Sequence, residues 1–141
     1  MFLRALATLI RLSLAVIFLY AGITKVQSPA LFALAVDAYQ LLPAWAVLAV
    51  AYTLPWVEIL LGLLLAAGFW RRHVTLAATL LLGLFFTTMV VTHLRNIQAD
   101  CGCFGFGEAI SPRTLTRDGF LLAAAGFLLY RSWVESRKAS A

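Results

Sequence analysis

Charge is what this chain has least of. Of its 141 residues only 12% are Asp, Glu, Lys or Arg, and six are acidic, where a soluble domain averages about 25% charged. Hydrophobic residues make up 63%, and the mean hydropathy is +0.95. A water-soluble domain of this size cannot hide so much apolar side chain, because small domains keep much of their surface exposed. The composition therefore excludes one and makes lipid the solvent. Cysteine is scarce as well: there are two, too few for a closed zinc site, which takes four ligands. No basic patch interleaves with aromatics, so the net charge of +5 does not indicate a nucleic-acid partner. It fits basic residues that flank membrane spans. Tandem repeats and low-complexity tracts are missing too.

What is present is long apolar runs. Residues 5–24, 44–70, 74–94 and 115–134 each approach the roughly 20 apolar residues that cross a bilayer. The runs are continuous rather than alternating, so they read as helices, which satisfy their own backbone in lipid. The fourth is the weakest, with Arg117 and Asp118 at one end and Arg131 at the other. Arg4 and Arg11 as a charged part, with Leu12 to Ile23 as an apolar part, give the N-terminus the outline of a signal peptide. No small-residue cleavage site and polar mature chain follow, so it is read as a retained span. The fold class expected is all-α: an integral membrane four-helix bundle, residues 1–141 forming one domain. Ser28-Pro29 and Ser111-Pro112 each pair a serine cap with a proline of the first turn. The first should open a short interfacial helix over 29–40, the second the fourth span. The inner turn between the second and third spans is Arg71-Arg72-His73. Gly62 with Ala66 and Gly119 with Ala123, four apart, and Gly22, Gly83 and Gly126 supply small notches for helix packing. A homodimer interface is the second reading of these notches.

Seven of the eleven basic residues (Arg4, Arg11, Arg71, Arg72, Arg131, Arg137 and Lys138) fall on one side of these spans. Lys25, Arg95, Arg113 and Arg117 fall on the other. The richer side is expected to be cytoplasmic. Both termini are then inside, and the loop after the third span faces a periplasm or equivalent space, where disulfides persist.

That loop holds both cysteines, Cys101 and Cys103, on either side of Gly102. A disulfide between them closes a very small ring, and Gly102 allows the bend. Such a bond removes little unfolded-state entropy, so it is a poor staple. Strained, exposed disulfides exchange readily with partners. Thiol–disulfide exchange is therefore the leading reading. A structural disulfide, a metal pair with His93 as third donor, and thiols without a role stay open beside it. Cys103, nearer the glycines and aromatics, is read as the more buried of the two. His93, at the outer end of the third span, is the candidate to take a proton from either cysteine, its alternative being an ordinary interfacial histidine. Asp100 disfavours a thiolate if it points inward. Gly105 and Gly107 suggest positive φ.

Inside the spans, Glu58 is a functional candidate by its depth alone. A salt bridge to Arg11, locking the first helix to the second, is the leading reading. A proton path, a contact to a quinone head group, or a protonated Glu58 bonded to Tyr20, Tyr52 or Thr53 are the others. Glu58, Arg11 and Tyr52 are thus the cofactor-binding candidates, and Lys25 reads as an outer-interface anchor.

The run Cys101-Gly102-Cys103-Phe104-Gly105 after a third apolar span resembles the MauE branch of the DoxX-like membrane proteins. The match extends to Arg11, Ala21-Gly22 and Lys25, to Tyr39, Leu42 and Pro43, to Pro55, Glu58, Gly62 and Gly68, and to Arg117-Asp118. The resemblance implies a four-span protein of the bacterial inner membrane tied to periplasmic thiol–disulfide exchange, with a thioredoxin-fold partner. The resemblance links family members to maturation of methylamine dehydrogenase, while many relatives lie outside methylamine pathways, so it does not fix the client. Quinone-linked disulfide generators look alike in architecture but use more cysteines, so a partner would supply the second pair. A membrane scaffold for a maturation partner, or a small transporter using Glu58, are the alternatives.

Overall fold

The computed structural model describes residues 1–102 and 106–141. Among these it has five helices: α1 (Phe2–Gln27), α2 (Pro29–Ala38), α3 (Ala44–Ala67), α4 (Arg71–Leu94) and α5 (Pro112–Ser140). Helices α1, α3 and α4 are long and apolar enough to cross a membrane. At about 1.5 Å per residue each exceeds the roughly 30 Å of a bilayer's hydrocarbon core. Helix α5 is the longest, at 29 residues, but Arg117 and Asp118 near its start and Arg131, Glu135, Arg137 and Lys138 near its end dilute its apolar stretch.

The helices extend past the expected spans where polar residues still favour helix, and stop earlier where a glycine intervenes. The second span was expected to run to residue 70. Instead α3 ends at Ala67, because Gly68 adopts the left-handed conformation (φ 75°) and donates its N–H to Leu64 O at 2.9 Å, a glycine C-terminal cap. The turn is 68–70, with Trp70 also left-handed, so Arg71, Arg72 and His73 begin α4 and do not form the turn. Ser111 caps α5 as expected: its Oγ accepts from Thr114 N at 3.4 Å, and Thr114 Oγ1 accepts from Ser111 N at 2.8 Å. Ser28 makes no such side-chain bond. α1 runs to Gln27 directly before it, so Ser28 joins two helices back to back.

Helix α1 packs on α3 and α4 on α5; the pairs meet through α1 with α5 and α3 with α4, and α2 lies against α3 and α1. The α1–α3 contact is made by two glycines. A Cβ on Gly22 would stand 2.6 Å from Ile59 Cγ1 and 2.8 Å from Pro55 O; one on Gly62 would stand 2.7 Å from Leu19 Cγ. The core is Leu14, Ala15, Phe18, Leu61, Leu65, Val74, Ala78, Ala125 and Leu128. The reverse faces are apolar as well: Trp45, Leu48, Tyr52, Trp56, Leu60 and Leu63 of α3 recur at helical spacing and are all exposed. A helix apolar on every face suits a hydrocarbon surrounding.

Gly22→Ala and Gly62→Ala should each destabilise the protein by about 1–3 kcal/mol through overpacking, whereas Gly126→Ala, with open space at its Cβ, should change stability by less than about 0.5 kcal/mol. Tryptophan-monitored unfolding in detergent micelles measures all three.

Candidate functional site

The segment after α4 folds back on itself. Cys101 N donates to Glu108 O at 2.7 Å and Ile110 N to Ala99 O at 3.1 Å, around a bridge pairing Asp100 with Ala109. Gly102 (φ 66°) and Gly107 (φ 90°) take the positive dihedrals the reversal needs. The Asp100 carboxylate accepts from Gly107 N at 3.2 Å, which ties it across the loop. The loop docks on α2: Tyr39 Oη donates to Cys101 O at 2.9 Å, and Gly102 lies against Ala35 and Phe32. Cys103, and with it the pairing of the two cysteines and the φ expected at Gly105, lies outside the described residues.

Cys101 is buried, at 3% exposure. Its sulfur sits among groups from two helices: Arg117 Nη2 at 3.5 Å, Asp118 Oδ2 at 3.7 Å and Met89 Sδ at 3.9 Å. Arg117 also donates to both oxygens of Glu108, at 3.1 and 2.9 Å, and from Nε to Asp118 Oδ1 at 3.2 Å. One guanidinium thus ties the loop, the sulfur and α5 together. A cation beside the sulfur stabilises negative charge on it, while Asp118 opposes that charge and offers a proton acceptor.

Behind this site lies a buried ion pair. Lys25 Nζ donates to Glu58 Oε1 and Oε2 at 2.7 and 2.9 Å, with the two residues 1% and 3% exposed. The ammonium lies 5.0 Å from the centre of the Phe32 ring and 5.1 Å from that of Phe85, so the pair joins residues of α1, α2, α3 and α4. The pair and Asp118 line the same small cavity, of about 30 Å³.

The sequence-derived candidates do not all converge. Glu58 is not bridged to Arg11: Lys25 takes that place, because it comes level with Glu58 in the α1–α3 packing. Arg11 lies a further stretch down α1, against Gly68, and donates to Leu65 O at 2.8 Å. Lys25 is accordingly a buried partner and not an interface anchor. Tyr20 and Tyr52 point outward, at 54% and 60% exposure, and Thr53 donates to Ala49 O at 2.6 Å, so none of the three serves Glu58. Glu58, Arg11 and Tyr52 therefore lie at a small cavity, at the opposite end of the molecule and on the outer surface respectively. They do not form one quinone pocket, and the 30 Å³ space at Glu58 is far below the few hundred Å³ of an ordinary small-molecule site. His93 is exposed and bonds to no sulfur among the described residues. Arg117, Asp118 and Met89 were the residues sequence reasoning did not assign to the sulfur. An adjacent Arg-Asp pair at the mouth of an apolar helix was the available signal.

Fold and site together define an all-helical protein suited to a membrane, with a buried cysteine and a buried ion pair at the same end. The family model described as methylamine utilisation protein MauE matches residues 3–131. The chain belongs to the MauE family, a family of membrane proteins. No curated protein and no solved structure matches.

Removing one partner of the buried pair leaves an uncompensated charge. Glu58→Gln and Lys25→Met should each destabilise by about 3–5 kcal/mol, and the double variant Lys25→Met/Glu58→Leu should recover most of the loss. Unfolding midpoints of the four proteins in micelles provide the check.

Proposed function

We propose that this protein is a four-span inner-membrane thiol–disulfide exchange protein, with its cysteine loop facing the periplasm and a thioredoxin-fold protein as its partner. The four long helices form the bundle, and α2 lies at the outer interface. The single observation that carries the reading is the setting of Cys101: a sulfur held 3.5 Å from a guanidinium and 3.7 Å from a carboxylate, one glycine away from a second cysteine. A sulfur meant only for packing needs neither group.

The exchange step balances by itself. A thiolate of the partner attacks the Cys101–Cys103 disulfide, forming a mixed disulfide and releasing one cysteine as thiolate. The partner's second thiol then displaces the remaining cysteine. Two electrons and two protons pass from the partner's dithiol to the pair, and the reverse sequence oxidises the partner. The sequence points to Cys103 as the more buried sulfur; the burial of Cys101 supports the reverse assignment, with Cys103 as the sulfur that meets the partner and Cys101 as the one that leaves and returns. Arg117 stabilises the Cys101 thiolate, and the Asp118 carboxylate accepts a hydrogen bond from the Cys101 thiol once the pair is reduced. The alternative, a scaffold whose cysteines only shape a contact loop, is separated from this reading by trapping.

Acid-quenched alkylation of cells expressing Cys101→Ser should yield a mixed disulfide between Cys103 and a thioredoxin-fold protein, identified by mass spectrometry. Arg117→Gln should slow exchange about tenfold, the loss of one charge-assisted hydrogen bond. A wild-type chain that stays oxidised under mild reductant, with no trapped species, would leave the scaffold reading in its place.

A further inference from the structure

The end of the molecule opposite Cys101 carries a second site. The start of α1, the α3–α4 turn and the last turns of α5 enclose an open cavity of about 500 Å³. Arg4, Arg11, Arg71, Arg131 and Lys138 line it, against one carboxylate, Glu135. Its volume is that of a small-molecule site, and its inner wall runs into the core at Leu65 and Leu128.

These cations are poorly neutralised by the protein. Arg131 Nη2 bonds Glu135 at 3.1 Å, but Arg131 Nε is buried without a hydrogen-bond partner. Among the described residues, Arg4, Arg71 and Lys138 make no ion pair. An unmet buried donor costs free energy, and like charges converging on one concavity repel. Both costs are relieved by an anion that accepts several N–H bonds at once. Phosphate does this, because its oxygens match the planar fork of arginine. Phe69, which lines the cavity, is 66% exposed, and Trp70, next to it in the chain, is 75% exposed. Aromatics of this kind settle at the head-group level of a bilayer.

We propose that this cavity binds a phosphate-bearing anion, supplied either by the head group of an acidic phospholipid or as free phosphate. The site is independent of the cysteine chemistry and stands whether or not exchange occurs. In the orientation proposed above, it opens toward the cytoplasmic leaflet.

Isothermal titration of the delipidated full chain in detergent tests this with three probes: short-chain phosphatidylglycerol, short-chain phosphatidylcholine and inorganic phosphate. Phosphatidylglycerol binding without phosphate binding assigns the site to lipid, and phosphate binding assigns it to a soluble anion. Either supports the proposal when Arg131→Gln weakens binding of that probe about tenfold, Glu135→Gln strengthens it, and Arg95→Gln, at the other end, leaves it unchanged. Glu135→Gln carries the test alone if Arg131→Gln does not fold. Wild type that binds neither phosphatidylglycerol nor phosphate, or phosphatidylglycerol no better than phosphatidylcholine with no phosphate binding, overturns the proposal. So does equal weakening by Arg95→Gln, or no strengthening by Glu135→Gln.

Discussion

Lys25 and Glu58 hold the molecule's geometry in place. An ammonium and a carboxylate in an apolar interior are each costly to desolvate, and in hydrocarbon surroundings no water stands in for a missing partner. They must therefore meet, and the 2.7 Å contact fixes the register of α1 on α3. The glycines at 22 and 62 allow that register, since a side chain at either would push the helices apart before the ions could touch. Phe32 and Phe85 then face the ammonium, which brings α2 and α4 to the same point. The charge thus selects one arrangement among the many that apolar helices could adopt. Helix–helix packing in lipid has little hydrophobic driving force of its own to make that choice.

The loop around Cys101 depends on this frame. Its two anchors, Tyr39 and Phe32, come from or beside α2, whose place against α3 follows from the turn at Ser28. Its charged neighbours come from the first turns of α5, where the Ser111–Thr114 cap starts the helix. Arg117 faces the loop, and Asp118, one residue on, lines the small cavity shared with Glu58. The cysteine is thus held between two rigid helices on a short irregular segment, and its polar surroundings are part of the structure before any partner arrives. The two ends of the molecule differ in character as a result. One end has opposite charges in contact beside a sulfur, and the other has like charges around an open space.

Membership of the MauE family accords with this division. Most of the residues that carried the resemblance in the sequence fall into three groups in space. Lys25, Pro55, Glu58 and Gly62 belong to the α1–α3 junction. Tyr39, Cys101, Arg117 and Asp118 belong to the loop and its supports. Arg11 and Gly68 form a third contact at the far end, where the left-handed glycine leaves room for the guanidinium. Most of these residues are pattern because of contacts to one another.

The sequence by itself determined the solvent and the secondary structure. A chain with 63% hydrophobic residues in continuous runs has few options other than long helices in lipid, and a cap is a local signal, so the helix start at Ser111-Pro112 could be read directly, whereas the stop at Gly68 lay inside the apolar run and was hidden by it. It also marked Glu58, because a lone carboxylate in an apolar run is conspicuous without any fold. Only the tertiary structure decided the partners. Arg11 and Lys25 are both basic residues of the first helix, and the choice between them turns on the axial offset of α1 against α3, which the glycine contacts permit and no local pattern encodes. For the same reason Tyr52 faces outward, and Asp118, seventeen residues from Cys101 along the chain, stands beside its sulfur. Proximity across helices comes from packing, and packing is a property of pairs of surfaces, not of any one segment.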